Sequence, residues 1–194
     1  MNILDKFHHW RRKMRWNKQY RNGRWDSLES EKEIKRYQKI IDSINIHAPK
    51  NPSIMDIGSG DGVLTLRMQE VPYSYFLGLD FSKVSIEKAQ VRNFPNAEFK
   101  TADAITYQPE QKFDVIVFNE AFYYIPDTKK QEVLDRMIAS LTQNGIIITS
   151  IYREGEGCWE FFKDNAILEE KDFTTVNTNE EKRYWKVGVY SAIT

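Results

Sequence analysis

The chain has 194 residues, of which 41% are hydrophobic, 29% charged and 13% aromatic, and its formal net charge is zero. That composition fits one globular domain better than two, and the balanced charge argues against a general nucleic-acid binder. No apolar run approaches the ~18 residues a membrane-spanning helix needs. Cys158 is the single cysteine, which excludes an internal disulfide and any cysteine-built metal site. With no secretory leader pattern at the N-terminus, a reducing, cytoplasmic setting is expected.

The charge is unevenly spread. Residues 1–24 carry Lys6, Arg11, Arg12, Lys13, Arg15, Lys18, Arg21 and Arg24 against Asp5 alone. Such a segment either faces something acidic, a phosphorylated or carboxylated molecule or an anionic surface, or is a solvated helix face. Leu4, Phe7, Trp10 and Met14 stand at helical spacing among these cations and predict a short amphipathic helix. An irregular tract, QYRNGRWD (Gln19 to Asp26), follows. Ser30 and Glu33 then form a capping-box pattern ahead of a helix whose apolar stripe is Ile34, Tyr37, Ile41 and Ile44. Pro49 and Pro52 close this section.

From there strand and helix alternate. The pattern predicts a strand over Ser53 to Ile57, a helix over Asp61 to Gln69, a strand over Tyr73 to Leu79 and a helix over Ser82 to Arg92 capped by Ser82. Strands follow at Ala97 to Thr101 and Phe113 to Phe118, then a helix capped by Asp127 and running to Leu141. Asn144-Gly145 turns into a strand from Ile146 to Ile151, a short helix covers Trp159 to Asn165, and two strands lie near Asp172 to Asn177 and Arg183 to Ser191. Apolar strands alternating with helices imply a mostly parallel sheet covered on both faces. The last two strands are joined by a short polar link, which only an antiparallel pair can accommodate. Ligands in such sheets sit beyond the carboxyl ends of the strands, so the candidate positions are 58–62, 80–82, 103–104 and 119–124.

The turn in IMDIGSGDG (Ile54 to Gly62) is the most informative stretch. A dinucleotide fingerprint needs a third glycine at position 63, which is Val63, and no Gly-Lys-Ser/Thr ending for a nucleoside triphosphate occurs in the chain. That disfavours a nicotinamide-dependent reductase. Asp56 and Asp61 place two carboxylates at the turn, which suits a cationic ligand better than a pyrophosphate.

IMDIGSGDG resembles the first motif of class I methyltransferases dependent on S-adenosylmethionine (SAM). Further motifs follow in the family's order: LGLDFS around Asp80, TADAIT around Asp103, FDVIVFNEAFYYI through Glu120, and NGIIITSIYR. The resemblance spans residues 50–152. It implies an α/β fold with a doubly wound, mostly parallel seven-stranded sheet in the order 3-2-1-4-5-7-6, strand 7 antiparallel, and helices on both faces. Residues 1–194 are then one domain, with 1–48 a helical, substrate-facing lid and 49–194 the Rossmann-like core. The implied cofactor contacts are Asp56, Gly58, Ser59 and Gly60 in the turn, Asp80 on the ribose hydroxyls with Phe81 beside the adenine, Asp103 and Ala104 on the adenine amino group, and Asn119 and Glu120 between cofactor and acceptor. Tyr20 and Trp25 are placed to fold over the cofactor, aromatic faces being suited to a sulfonium.

In-line methyl transfer asks mainly for alignment and exclusion of water, with a base where the acceptor carries a proton. Glu120 and Tyr124 are the catalytic candidates, and Tyr123, Tyr124, Tyr152 and Arg153 the acceptor-facing ones. No metal is expected; His8 and His9 are adjacent and His47 stands alone. Nucleic-acid amino-methylating enzymes of this fold carry Asp/Asn-Pro-Pro-aromatic after strand four, whereas this chain has Asn119-Glu120-Ala121-Phe122. A small acceptor methylated on O or N is therefore expected, acidic, phosphorylated or of sugar type, with no nucleic-acid partner. The alternative is a SAM-binding regulator or partner subunit that keeps the fold without catalysis.

Overall fold

The computed structural model describes residues 3–68, 70–180 and 182–193, with side chains from Arg11 onward. Two helices precede the sheet, α1 (Ile3–Arg21) and α2 (Glu31–His47), joined through a 3-10 turn at Asp26–Glu29. β1 (Ser53–Ile57), α3 (Val63–Arg67), β2 (Tyr75–Asp80), α4 (Lys83–Val91), β3 (Ala97–Thr101) and β4 (Phe113–Asn119) form the first winding. α5 (Asp127–Ala139), β5 (Leu141–Tyr152), α6 (Glu160–Lys163), β6 (Leu168–Asn177) and β7 (Tyr184–Ala192) complete it. The seven strands lie in the order β3-β2-β1-β4-β5-β7-β6, with β7 antiparallel to both neighbours, as the motifs imply.

Alternation along each central strand sends side chains to two cores. Met55, Ile57, Ile116 and Phe118 pack under α5 and α6 with Phe122, Leu134 and Phe162. Ile54, Val115 and Val117 pack on the other face with Ile40, Ile41 and Ile44 of α2, Leu64 of α3 and Ile86 of α4. The parallel strands β1 to β5 put their carboxyl ends on one edge of the sheet, and the glycine turn, Asp80 and Glu120 come together there.

Several local expectations are corrected. α1 continues through Gln19 to Arg21, so helix replaces most of the irregular start of QYRNGRWD. Met14 is 46% exposed, while Asn17 and Tyr20 are buried; the packed face of α1 is therefore rotated away from the expected stripe, whose other members, like His8 and His9, lie outside the described side chains. The capping box does not form: Ser30 makes no side-chain cap bond, because Glu33 turns inward to the Arg36 guanidinium at 3.0 Å, a charge-assisted bond stronger than a cap. Ile34 is correspondingly 40% exposed. Gly62, at φ 83°, delays α3 to Val63. Pro126 rather than Asp127 occupies the cap of α5, and Asp127 pairs with Lys130. Asn144 and Gly145 lie within β5, where Phe113 pairs with Leu141 and Val115 with Ile146, a bulge in place of a free turn. β6 begins at Leu168 and carries an irregularity between Glu170 and Asp172.

Candidate active site

The glycine turn is shaped by what surrounds it. Gly58, Gly60 and Gly62 all have positive φ (80°, 58° and 83°), a region that glycine enters without strain. A Cβ at Gly58 would sit 2.6 Å from the Cβ of Ala121, and one at Gly60 would sit 2.6 Å from Tyr20 Oη. The turn thus lies between the loop after β4 and the last turn of α1, open to one cavity of about 340 Å³, within the usual size range for a small-molecule site.

Asp80, at the end of β2, is fixed by two backbone donors: Gly60 N–H at 3.0 Å on one oxygen and Ser82 N–H at 2.7 Å on the other. Burial lifts its pKa to about 6, with those two donors acting in the opposite direction. Asp103 and Ala104 line the cavity after β3. Asp103 accepts from Ile105 N–H at 2.9 Å, and Arg136 of α5 donates to the carbonyls of Ala104 and Ile105 at 2.7 and 2.8 Å, pinning this loop. Phe81 faces the Arg12 guanidinium at 5.6 Å.

At the end of β4 the backbone of Glu120 is left-handed (φ 58°), a sparsely populated state for a non-glycine residue. Its N–H donates to the Ser150 carbonyl at 3.0 Å, and its carboxylate accepts from Ser150 Oγ–H and Tyr123 Oη–H, both at 2.9 Å. Burial raises the Glu120 pKa, opposed by Arg36 and by the two hydroxyl bonds. Each carboxylate oxygen keeps a second lone pair, so Glu120 can still accept a proton from a molecule in the cavity. Tyr124 stands beside Tyr123, ring centroids 4.5 Å apart, and meets the edge of Trp16 at 4.9 Å.

α1 lies across the opening. Trp16 stacks on Trp25 at 5.1 Å, and Tyr20 lies 6.2 Å from Trp25. On the other side Tyr152, Arg183 and Trp185 complete the wall.

Two expected contacts fall elsewhere. Asp56 does not line the cavity; it is 1% exposed beneath the turn, its Oδ1 without a partner. Burial, reinforced by Asp80 and opposed by Arg36, pushes its pKa up to about 8, so at neutral pH it is mostly uncharged. Arg153 also lies off the cavity wall, its Nε donating to the Lys182 carbonyl at 3.0 Å and its guanidinium resting on the Tyr152 ring. Asp61 reaches the cavity, but its carboxylate is met by Arg92 at 3.2 Å. The negative charge at the turn therefore comes from Asp80 rather than from Asp56 and Asp61. Because folded Asp56 holds its proton well above the unfolded value of 3.8, its neutral form favours the native state at low pH. That advantage is lost as pH rises from about 4 to about 8. Asp56→Asn is expected to flatten the thermal midpoint over this window and to raise it at pH 8, as read by calorimetric melts.

The residue that sequence reasoning missed is Arg36. Fully buried in α2, it donates to Glu33 at 3.2 and 3.0 Å and to Asn119 Oδ1, and its guanidinium lies 4.3 Å over the Tyr37 ring. Its signal was positional: Arg36 shares the face of Tyr37, Ile40 and Ile44.

A family model described as a methyltransferase domain matches residues 49–189, most of the chain. The chain belongs to the class I SAM-dependent methyltransferases.

Among curated relatives of this methyltransferase, a malonyl-[acyl-carrier protein] O-methyltransferase of Bacillus cereus is 30% identical over 101 residues, 51% of this chain and 37% of that protein. A trans-aconitate 2-methyltransferase of Methylobacterium radiotolerans is 30% identical over 110 residues, 56% of this chain and 40% of that protein. The match therefore spans well under half the length of these two relatives. Among solved structures, the Burkholderia thailandensis 1,6-didemethyltoxoflavin-N1-methyltransferase, crystallised with its acceptor and S-adenosylhomocysteine, superposes over all of the chain and 92% of its own at a TM-score of 0.78 and 14% identity. Among the described residues of the methyltransferase, no helix is long and apolar enough to cross a membrane, and no group of three or more side chains is placed to hold a metal ion.

Proposed function

We propose that the chain transfers a methyl group from SAM to an oxygen or nitrogen of a small acidic acceptor. The observation that carries this reading is the convergence of Asp80 and Glu120 on one cavity floored by the glycine turn and covered by α1. The residues present fit SAM: a half-open carboxylate for two vicinal hydroxyls, a turn with glycine at 58 and 60 on the cavity wall, a buried cation in Arg36 and aromatic rings above. When bound, SAM supplies a methyl group on a sulfonium whose departure needs no further activation.

What this chain adds is placement and proton handling. Asp80 holds the ribose, Asp103 and Ala104 with Phe81 hold the adenine, and Gly58, Ser59 and Gly60 give the methionyl part a close approach. Tyr20 and Trp25, on residues 1–48, exclude water from above. Glu120, held by Ser150 and Tyr123, accepts the proton of an attacking hydroxyl, or takes one from an ammonium before the free amine attacks, while Tyr123, Tyr124 and Tyr152 shape the acceptor end. Arg12, Arg24 and Arg183 on the cavity wall favour an anionic acceptor, in keeping with the acidic molecules that the two curated relatives act on.

Calorimetry with SAM against NAD tests the cofactor, and SAM absence from the bound state would end the reading. A screen of small carboxylic and phosphorylated acceptors then tests turnover; tight SAM binding with no turnover on any of them favours the non-catalytic alternative. With an acceptor in hand, Glu120→Gln is expected to lower kcat by about 100-fold or more, the usual contribution of a positioned base. The wild-type rate should fall as pH drops through a value above the ordinary glutamate range, because burial raises that pKa. A flat profile, or a Gln variant at full rate, would remove Glu120 from proton transfer.

A further inference from the structure

We infer that Asn17 is the latch that seats α1 over the cofactor end of the cavity and couples that seating to the carboxylate of Asp80. Asn17 is 8% exposed, although the helix around it carries exposed cations. With Arg12, Trp16 and Tyr20 it forms one face of α1 at helical spacing, and that face touches the loops after β1, β2 and β4.

The bonds form a continuous path. Asn17 Oδ1 accepts from Ser82 Oγ–H at 2.8 Å and from Val84 N–H at 3.3 Å. Val84 N–H is one of the first-turn amides of α4 that no residue of that helix can satisfy. Its neighbour Ser85 N–H is taken by Ser82 Oγ at 3.3 Å, so the cap of α4 is shared between its own loop and α1. Ser82 N–H donates in turn to one oxygen of Asp80, whose other oxygen accepts from Gly60 N–H. Gly60 is the residue that Tyr20 covers from α1. Asn17, Ser82, Asp80 and Gly60 thus connect the covering helix to the middle of the turn.

Trp16 and Arg12 attach α1 in a different way. Trp16 makes ring contacts, and Arg12 makes a ring contact and one exposed bond to the Tyr124 carbonyl at 3.3 Å. Asn17 supplies one buried and one part-buried directional bond, and lifting α1 would return Ser82 Oγ and Val84 N–H to water. Since Tyr20 closes over Gly60, exchange of a molecule held on this turn requires α1 to lift, and Asn17 sets how readily it does so. Asn17 does not line the cavity; it is a positioning residue.

This inference rests on the reading of the cavity as a SAM site, and the test separates the two. The dissociation rate of S-adenosylhomocysteine from the full chain is measured by stopped-flow tryptophan fluorescence. Loss of these two hydrogen bonds predicts dissociation about tenfold faster in Asn17→Ala and in Asn17→Leu, the latter keeping the buried volume should the alanine variant fold poorly. Asn17→Asp keeps an acceptor oxygen at the N-terminus of α4, where a carboxylate is favoured, and should dissociate within about twofold of wild type. No binding to the wild-type chain would overturn the cofactor reading and the latch with it. Binding with wild-type dissociation in both Asn17→Ala and Asn17→Leu would overturn the latch alone, even if their melting temperatures fall. So would an aspartate variant as fast as the alanine one.

Discussion

Asp80→Ala is expected to weaken SAM binding by about 100-fold or more, since hydrogen bonds to a charged acceptor contribute about 1.5–3 kcal/mol each and two ribose hydroxyls are in question. The same carboxylate accepts from Gly60 N–H and Ser82 N–H, so its removal also loosens the turn and the cap of α4. Asp80→Asn keeps one acceptor oxygen but aims an NH2 at either the turn or the ribose, and should fall between alanine and wild type. A pH dependence follows from the pKa of about 6 that burial gives this group. The charged form is the competent one, so affinity should hold above pH 6 and decline as pH falls through it, and Asp80→Asn should lose that decline. Titration calorimetry at several pH values reads all of this. Alanine and wild type binding equally would remove the ribose assignment.

The strands of the core were legible because two-faced burial leaves an unmistakable mark: Val115, Ile116 and Val117 are consecutive and all apolar, and they lie between the two cores. The reversed β7 was legible from the short polar link before it, and the strand order from the resemblance carried by the motifs. The parts that failed are those decided by partners far apart in the chain. Asp61 reads as a free carboxylate until Arg92 is seen against it. Asp56 reads as a charge until its burial is known. The face of α1 depends on Asn17 reaching Ser82, 65 residues away, and a polar residue at that position gives no apolar period to detect. Glu33 fits a capping box by spacing, but a buried guanidinium one turn later competes for it and wins. The loop after β4 was partly legible: the place of Glu120 at the end of that strand could be read from the sequence, and the Ser150 and Tyr123 hydroxyls that hold it were visible only in the fold.

Arg36→Met is expected to destabilise the chain by about 3–5 kcal/mol, the usual cost of stripping a buried ion pair of one partner. For a domain of this size that lowers the melting temperature by roughly 10 °C. Three groups depend on this guanidinium: Glu33 through two bonds, Asn119 through one, and Glu120 through its charge. Burial by itself works against the Arg36 charge, but Tyr37, Glu120 and Glu33 raise its pKa overall, so it stays protonated. Arg36→Lys should recover only part of the loss, since an ammonium cannot reach Glu33 through two donors and Asn119 at once. Adding Glu33→Leu to Arg36→Met removes one orphaned carboxylate and should restore some stability, as apolar replacement of a buried pair often does. It cannot restore the site. Arg36 pulls the Glu120 pKa down against burial, and more strongly than Glu33 raises it, so in the double variant Glu120 should hold its proton to higher pH and the rate profile should shift upward. Recovered stability with an unshifted profile would show that Arg36 holds the fold and not the base. Recovered stability with a shifted profile places α2 in the chemistry, through a cation that the sequence sets on the packed face of that helix.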